Sequence, residues 1–373
     1  MRSSLCACRH LREFRLWNAL RAGPNRLSSV PARSYASISA ADLKFGQPLH
    51  ETHAHILAAG ERIPVTPGIS ALEYATRRAK LAAHLPDNAI AVLASSNIKY
   101  RSGTVFYEFH QDPDFFYLTG TSLPHSALEG GNVLSTLSES YPDSSRKPGW
   151  LLEVLGAGKT MPLKPVLNEL RVFKSPAEVG NMRLAGKFSG RSFTNVMRRN
   201  FTKEKDLRAV LECEFRLRGC DNSAYVPVVA GGENALSIHY VRNDDILRGG
   251  DLVLVDAGGE YGGYITDITR TWPVNGKFSP AQKDLYQAIL DVQRTCVALC
   301  RENASVSLDK LHDIAEHGLE DQLKQLGFDL SGRALETLFP HHVGHYIGLD
   351  VHDSPGYPRT GELKAGQCIT IEP

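Results

Sequence analysis

Apolar and polar positions divide this chain into stretches of different period. Ala89 to Ala94 and Phe115 to Leu118 are short apolar runs suited to buried strands. Ser70 to Leu85 reads as a helix, with Ser70 as N-cap, Glu73 three residues on as the second half of a capping box, and Pro86 as the stop. Ser175, Pro176 and Glu178 repeat that start signal and open a longer helix running to about Arg199. Further helices are predicted at Glu204 to Leu217, Pro280 to Arg301 and Leu308 to Leu326. The segment from Ala224 to Trp272 reads as strand and tight turn, and strand and loop return from Pro340 onward. Gly-, Pro- and His-rich sequence at 46–68 and Gly-, Ser- and Pro-rich sequence at 129–150 read as loops, and a domain boundary is placed near Lys174.

The richest alternation is DLVLVDAGGEYGGYITDITRTW at 251–272, two β-rich runs around a glycine-rich connection. A symmetric hairpin centred between Tyr261 and Gly262 sets Asp256 directly opposite Asp267, with Leu252, Leu254 and Ile265 on the same face. Opposed residues have Cβ atoms about 4.5–5.5 Å apart. Two carboxylates so placed repel, and a cation between them removes the penalty. The competing reading is a bulge that turns one aspartate to solvent.

A second polar cluster interrupts the apolar pattern at PHHVGHYIGLDVHD, 340–353, with His341, His342, His345 and His352. Its glycines and β-branched residues argue against a helix, so His341 and His345 are not a helical zinc pair. GGENALSIHY at 231–240 ends in His239, and TIEP at 370–373 carries Glu372 after an apolar alternation. Taken singly, His239 reads as structural and Glu372 as nothing, and the competing reading of the histidine run is a solvated surface. Together, two Asp, several His and a Glu suit Mn²⁺ first, then Zn²⁺, Co²⁺ or Fe²⁺. Carboxylates able to bridge suggest two metals about 3.5–4 Å apart. GAGKT at 156–160 lacks the first glycine of a P-loop, where Glu153 stands, and HETHAH at 50–55 is not H-E-x-x-H. The His53–His55 pair fits an amidohydrolase only weakly, since no strand precedes it.

Composition adds bounds. The 373 residues carry 42 basic and 41 acidic side chains, which gives no support to a nucleic-acid partner. The length suits two or three domains, and no apolar run is long enough to span a membrane. Seven cysteines at irregular spacing read as free thiols in a reducing compartment. Residues 1–40 differ from the rest: seven arginines, no lysine, one acid (Glu13) and clustered serines predict a mitochondrial transit peptide.

The order of GGENALSIHY, VDAGGEYGGYITDITRTWPV, HHVGHYIGLDVHD and TIEP resembles the catalytic domain of the aminopeptidase P/prolidase family. GQPLHETHAHIL, TPGISALEYATRRAKLA and FHQDPDFFYLTG are similar to the N-terminal domain of its mitochondrial, intermediate-cleaving members. The resemblance implies a mixed α/β (α+β) chain. An abbreviated creatinase-like α/β domain would occupy 44–166, and a pita-bread metallopeptidase domain 167–373. It further implies Asp256, Asp267, His345 and Glu372 as ligands of two divalent ions, with Asp267 bridging. His239, His341 and His352 would handle substrate and protons, and Glu372 would double as general base. The implied reaction is attack of a metal-held hydroxide on the first peptide carbonyl of a peptide or protein N-terminus, either Xaa-Pro or one bulky residue from imported proteins. The implied site is the mitochondrion, in the matrix or against the inner membrane, and a homo-oligomer is left open. In PARSYAS, a first cut two residues after Arg33 would expose Tyr35, and such an enzyme would trim it to leave Ala36 first. The family's second bridging glutamate follows TIEP on a further strand, whereas this sequence stops at Pro373. The expectation is therefore a pita-bread domain lacking its last strands, holding at most one weakly bound metal. A catalytically dead pita-bread protein that binds peptides or partners is the alternative.

Overall fold

The computed structural model describes residues 66–122 except 88 and 90, then 127–128 and 161–373. The expected transit peptide, the His53–His55 pair, the 129–150 loop and GAGKT lie outside the described residues. Helix α1, Ala71–His84, starts where the sequence predicts, with Ser70 Oγ accepting from the Glu73 amide. The other half of that capping box is diverted. The Glu73 carboxylate instead accepts from Arg77 at 2.7 Å and from Ser175 Oγ at 2.6 Å. Strand β1, Leu93–Ala94, falls at the end of the run expected from Ala89, and β2, Tyr100–Ser102, and β3, Val105–Phe106, form a small hairpin after it.

The apolar run Phe115 to Leu118 is not a strand. It lies inside helix α2, Pro113–Thr119, and is buried throughout. Asp112 caps the start by accepting from the Phe115 amide at 2.9 Å, proline sits in the first turn, and Gly120 closes the end in the left-handed conformation, φ +68°. Those start and stop signals outweigh an apolar run too short to carry its own period. Strand β4, Ala127–Leu128, pairs with β1.

Helix α3, Lys164–Val172, leads into α4, Pro176–Met197, which has the complete capping box at Ser175 and Glu178. Helix α5, Glu204–Arg218, packs along α4. Strands β6, Val228–Gly231, β7, Leu252–Ala257, and β10, Ile268–Pro273, form one antiparallel sheet in the order β10-β7-β6. Strands β5, Asn222–Ser223, β8, Gly259–Tyr261, and β9, Tyr264–Ile265, form a second. Helices α6, Pro280–Leu299, and α7, Leu308–Gln325, pack as a pair, and a short α8, Ala334–Leu338, precedes the histidine-rich segment.

Three apolar clusters hold these parts. Val229, Val253, Val255, Ala257 and Trp272 pack on Phe193, Leu207, Leu211 and Phe215, joining the sheet to α4 and α5. Val292, Cys296, Leu311, Ala315 and Leu319 join α6 to α7 and reach Val343 and Tyr346. The third joins α1, α2 and α3 to Tyr264 and Leu349, so the N-terminal elements rest on the second half of the chain. Cys213, Cys220, Cys296, Cys300 and Cys368 are free thiols.

Buried charge adds to that join. Arg171 on α3 is 4% exposed and donates to Asp114 at 2.5 Å, to Asp350 at 2.6 Å and to Asp353. Lys174 donates to the other Asp353 oxygen at 2.7 Å. Removing one member of such a group strands its partners without counter-charge, which costs about 3–5 kcal/mol. Arg171→Met is therefore expected to lower unfolding stability in urea by about that amount. A change under about 1 kcal/mol would show that Lys174 alone suffices for Asp353.

Candidate metal centre

The hairpin that carries the aspartates is real, but its centre is displaced. Glu260 pairs with Ile265 and Tyr261 with Tyr264, so the turn residues are Gly262 and Gly263, both at positive φ, +58° and +82°. That is the type I′ geometry that suits a two-residue hairpin and favours glycine. Asp256 consequently faces Thr269 rather than Asp267. The displacement moves the pairing by two residues, and side chains alternate with period two, so both aspartates keep the same face as diagonal neighbours. Tyr225, just before β6, closes the gap. Its hydroxyl lies 2.5 Å from Asp256 Oδ1 and 3.0 Å from Asp267 Oδ1.

The histidine segment comes to this face through backbone pairing with the C-terminal stretch. The Thr370 amide donates to the His345 carbonyl at 2.9 Å, the Glu372 amide to the Val343 carbonyl at 2.7 Å, and the Ile347 amide to the Cys368 carbonyl at 3.1 Å. Gly344 allows the approach, because a Cβ there would stand 2.0 Å from the Thr370 carbonyl oxygen. Thr370 sets two side chains in register. Its Oγ1 accepts from the His345 amide at 3.0 Å and donates to Glu372 Oε1 at 2.6 Å.

His345 Nε2 then lies 3.3 Å from Asp267 Oδ2 and 3.2 Å from Glu372 Oε1. Asp267, His345 and Glu372 each present a ligand atom within 4.8 Å of the others. The electrostatics record the crowding. Burial, then the Asp267 charge, pushes the Asp256 carboxyl up to about 7. Burial works against a charged His345, yet the hydrogen bonds to Asp267 and Glu372 prevail and push it up to about 10. Two carboxylates, Asp267 and Glu372, thus meet one imidazolium, and Asp256 beside Asp267 tends to keep its proton. Divalent cations suit this donor set, because they supply the positive charge that two retained protons otherwise provide.

His352 stands edge-on to His345 with ring centroids 4.5 Å apart. Burial, then the His345 charge, lowers it from the usual histidine range, and His239 lowers it further. His239 is exposed on the loop after β6. His341 is exposed too, edge-on to Phe339 at 5.2 Å, with Nδ1 2.9 Å from the His342 carbonyl. The structure does not bring His341 into hydrogen bonding with Asp267, His345 or Glu372. His342 turns away, stacked on His312 at 4.6 Å and 3.2 Å from Asp309. An open cavity of about 410 Å³ lies beside the centre, lined among others by His110, Lys164, Ile265, Asp350 and His352. Tyr225, Thr370 and the Arg171–Lys174–Asp353 group had no sequence signal, since none falls in a motif with ligand spacing.

Comparison with known proteins agrees with this geometry. Metallopeptidase family M24 matches residues 180–373, and the aminopeptidase P N-terminal domain matches 74–138. Intermediate cleaving peptidase 55 of Saccharomyces cerevisiae is 39% identical over 407 residues, covering 89% of this chain and 79% of that protein. Intermediate cleaving peptidase 55, mitochondrial, of Arabidopsis thaliana is 34% identical, covering 94% and 81%. The crystal structure of the yeast protein bound to the inhibitor apstatin superposes with a TM-score of 0.72 at 38% identity, over 83% of this chain and 86% of that one. With its fold and its similarity over most of its length in accord, the chain belongs to metallopeptidase family M24, as an aminopeptidase P-type metallo-aminopeptidase of the pita-bread fold.

Proposed function

We propose that this enzyme removes a single residue, bulky or preceding proline, from the N-termini of proteins imported into mitochondria, using two divalent ions, with Mn²⁺ first. The observation that carries the reading is the convergence of Asp267, His345 and Glu372, with Asp256 tied to Asp267 through the Tyr225 hydroxyl. Asp256, Asp267, His345 and Glu372 are the residues that would hold the ions. The ions would activate water and polarise the scissile carbonyl. The names of the yeast and plant relatives support intermediate cleavage as the task and the mitochondrion as the place.

The chain's own residues divide the remaining work. Glu372 takes the proton from the attacking water, with Thr370 fixing one of its oxygens at 2.6 Å. His352, which burial lowers from the usual histidine range, can pass that proton toward the leaving amine. His239 and His341, both exposed, would meet the substrate rather than the ions.

This division makes a testable split. His239→Ala and His341→Ala are each expected to lower kcat by about 10²–10⁴-fold. Bound metal, counted by elemental analysis, should stay at the unsubstituted level. Peptides starting with tyrosine and peptides with proline second are the substrates to assay. Metal loss in His341→Ala, with metal retained in a His345→Ala variant, would reverse the two assignments.

A further inference from the structure

We infer that Glu204 is a positioning residue that sets the place of His239. The inference rests on the role proposed above for His239. Glu204 opens helix α5 and is 0% exposed, far from any of the ligand positions in sequence. A carboxylate so buried survives only when its oxygens are fully partnered. Its partners all belong to the segment that carries His239. Oε1 accepts from the Gly231 amide at 2.9 Å and from Asn234 Nδ2 at 2.9 Å. Oε2 accepts from the Tyr240 hydroxyl at 2.7 Å and from the Asp245 amide at 2.9 Å. The donors flank His239 on both sides, and one is its immediate neighbour.

Packing does not hold this loop. The single 3₁₀ turn at Gly232–Leu236 has no buried residue. Leu236 is 86% exposed, Ile238 54% and Val241 55%. The loop therefore turns its apolar side chains outward and owes its shape to polar anchors. Glu204 is one. Asn243, buried at φ +52°, is the other, donating to the Pro227 carbonyl at 2.8 Å and accepting from the Val229 amide at 2.6 Å. Asn243 ties the loop's end to the sheet edge at β6, whereas Glu204 gathers its start, middle and end around one carboxylate. His239, next to Tyr240 in this loop, is thereby held by the same clamp. Positioning groups of this kind act on rate without touching substrate, because a displacement of about 1 Å costs about 10²-fold.

The test is a double-mutant cycle on the metal-loaded protein, with a peptide starting with tyrosine as substrate. Glu204→Gln replaces one acceptor oxygen by a donor and opens the clamp on that side. It is expected to lower kcat/KM by about 10²-fold at unchanged metal content. In the His239→Ala background the same change should cost less than about threefold, because the group it positions is already gone. Amide exchange across 231–245 should quicken in Glu204→Gln and stay unchanged across β7. If Glu204→Gln fails to fold, Tyr240→Phe removes a single donor and should show the same non-additivity at smaller size. Equal losses in both backgrounds, or loss of metal in step with activity, overturn the inference. A silent His239→Ala instead overturns the role of His239 itself, and quickened exchange with additive losses overturns only its link to Glu204.

Discussion

Asp267→Asn is expected to abolish Mn²⁺ binding, read as the loss of the rise in melting temperature expected when Mn²⁺ is added to the unsubstituted protein, and aminopeptidase activity with it. Asp267 is 8% exposed at its side chain, lies 3.3 Å from His345 Nε2, and shares the Tyr225 hydroxyl with Asp256. It therefore links His345 on one side to Tyr225 and Asp256 on the other. An amide at this position fills the same volume, so the fold has no steric reason to change. It carries no charge, however, and one of its two oxygens becomes a nitrogen that cannot ligate. Losing one charged partner from a buried group costs about 3–5 kcal/mol, which is about 10²–10⁴-fold in metal affinity. Elemental analysis after gel filtration and a thermal scan with and without Mn²⁺ decide the matter. Metal retained at the unsubstituted level with near-normal turnover would remove Asp267 from the ligand set.

What the sequence made legible follows the range of the interactions involved. Helix starts depend on neighbours three residues apart, and the signals at Ser70 and Ser175 placed α1 and α4 correctly. Phe115 to Leu118 misled because four apolar residues fit a strand and a helix equally well, while Asp112 and Gly120 outside the run decided it. In the hairpin, the choice among four glycines set the turn, and the positive φ values at Gly262 and Gly263 fixed it one residue later than symmetry suggested. The shared face of Asp256 and Asp267 survived because a two-residue displacement preserves the alternation.

The rest of the centre rests on contacts that no local pattern encodes. His345 and Glu372 meet only because the 343–347 segment pairs with 368–372, and Thr370 aligns the two side chains. Their partnership was readable through resemblance to a family, not through spacing. Glu204 and the Arg171–Lys174–Asp353 group were invisible for the same reason. Each is a buried charge whose partners come from a distant part of the chain, and in the sequence it looks like any solvated side chain.

The protons on the centre also make metal binding steeply dependent on pH. Without metal, His345 holds its proton up to about pH 10, and Asp256 holds one up to about pH 7. Ligands bind a cation only when deprotonated, so both protons must leave. Above about pH 7 one proton is displaced per site, and the apparent affinity should rise about tenfold per pH unit. Below pH 7 two are displaced, and the slope should approach about a hundredfold per unit. Between pH 6 and pH 8 the apparent affinity for Mn²⁺ should therefore change by about 10³-fold.

The stability of the stripped protein runs the other way. Both folded-state values lie above the ordinary ones, 3.8 for the aspartate and 6.5 for the histidine. The stripped folded protein thus binds more protons than the unfolded chain from about pH 4 to about pH 10, and its stability falls as pH rises through that window. Asp256 accounts for the lower part and His345 for the upper. Added metal should raise the melting temperature little at pH 5 and most near pH 9, where Asp256 has lost its proton and only the His345 proton still competes with the metal. Calorimetric titration of Mn²⁺ into stripped protein, in two buffers of different ionisation enthalpy, counts the released protons directly. Release near one proton at pH 8 and near two at pH 6 is the expected result. An affinity flat across that range would mean that the carboxylates and His345 are already unprotonated before metal arrives, and the charge balance argued for this centre would fail.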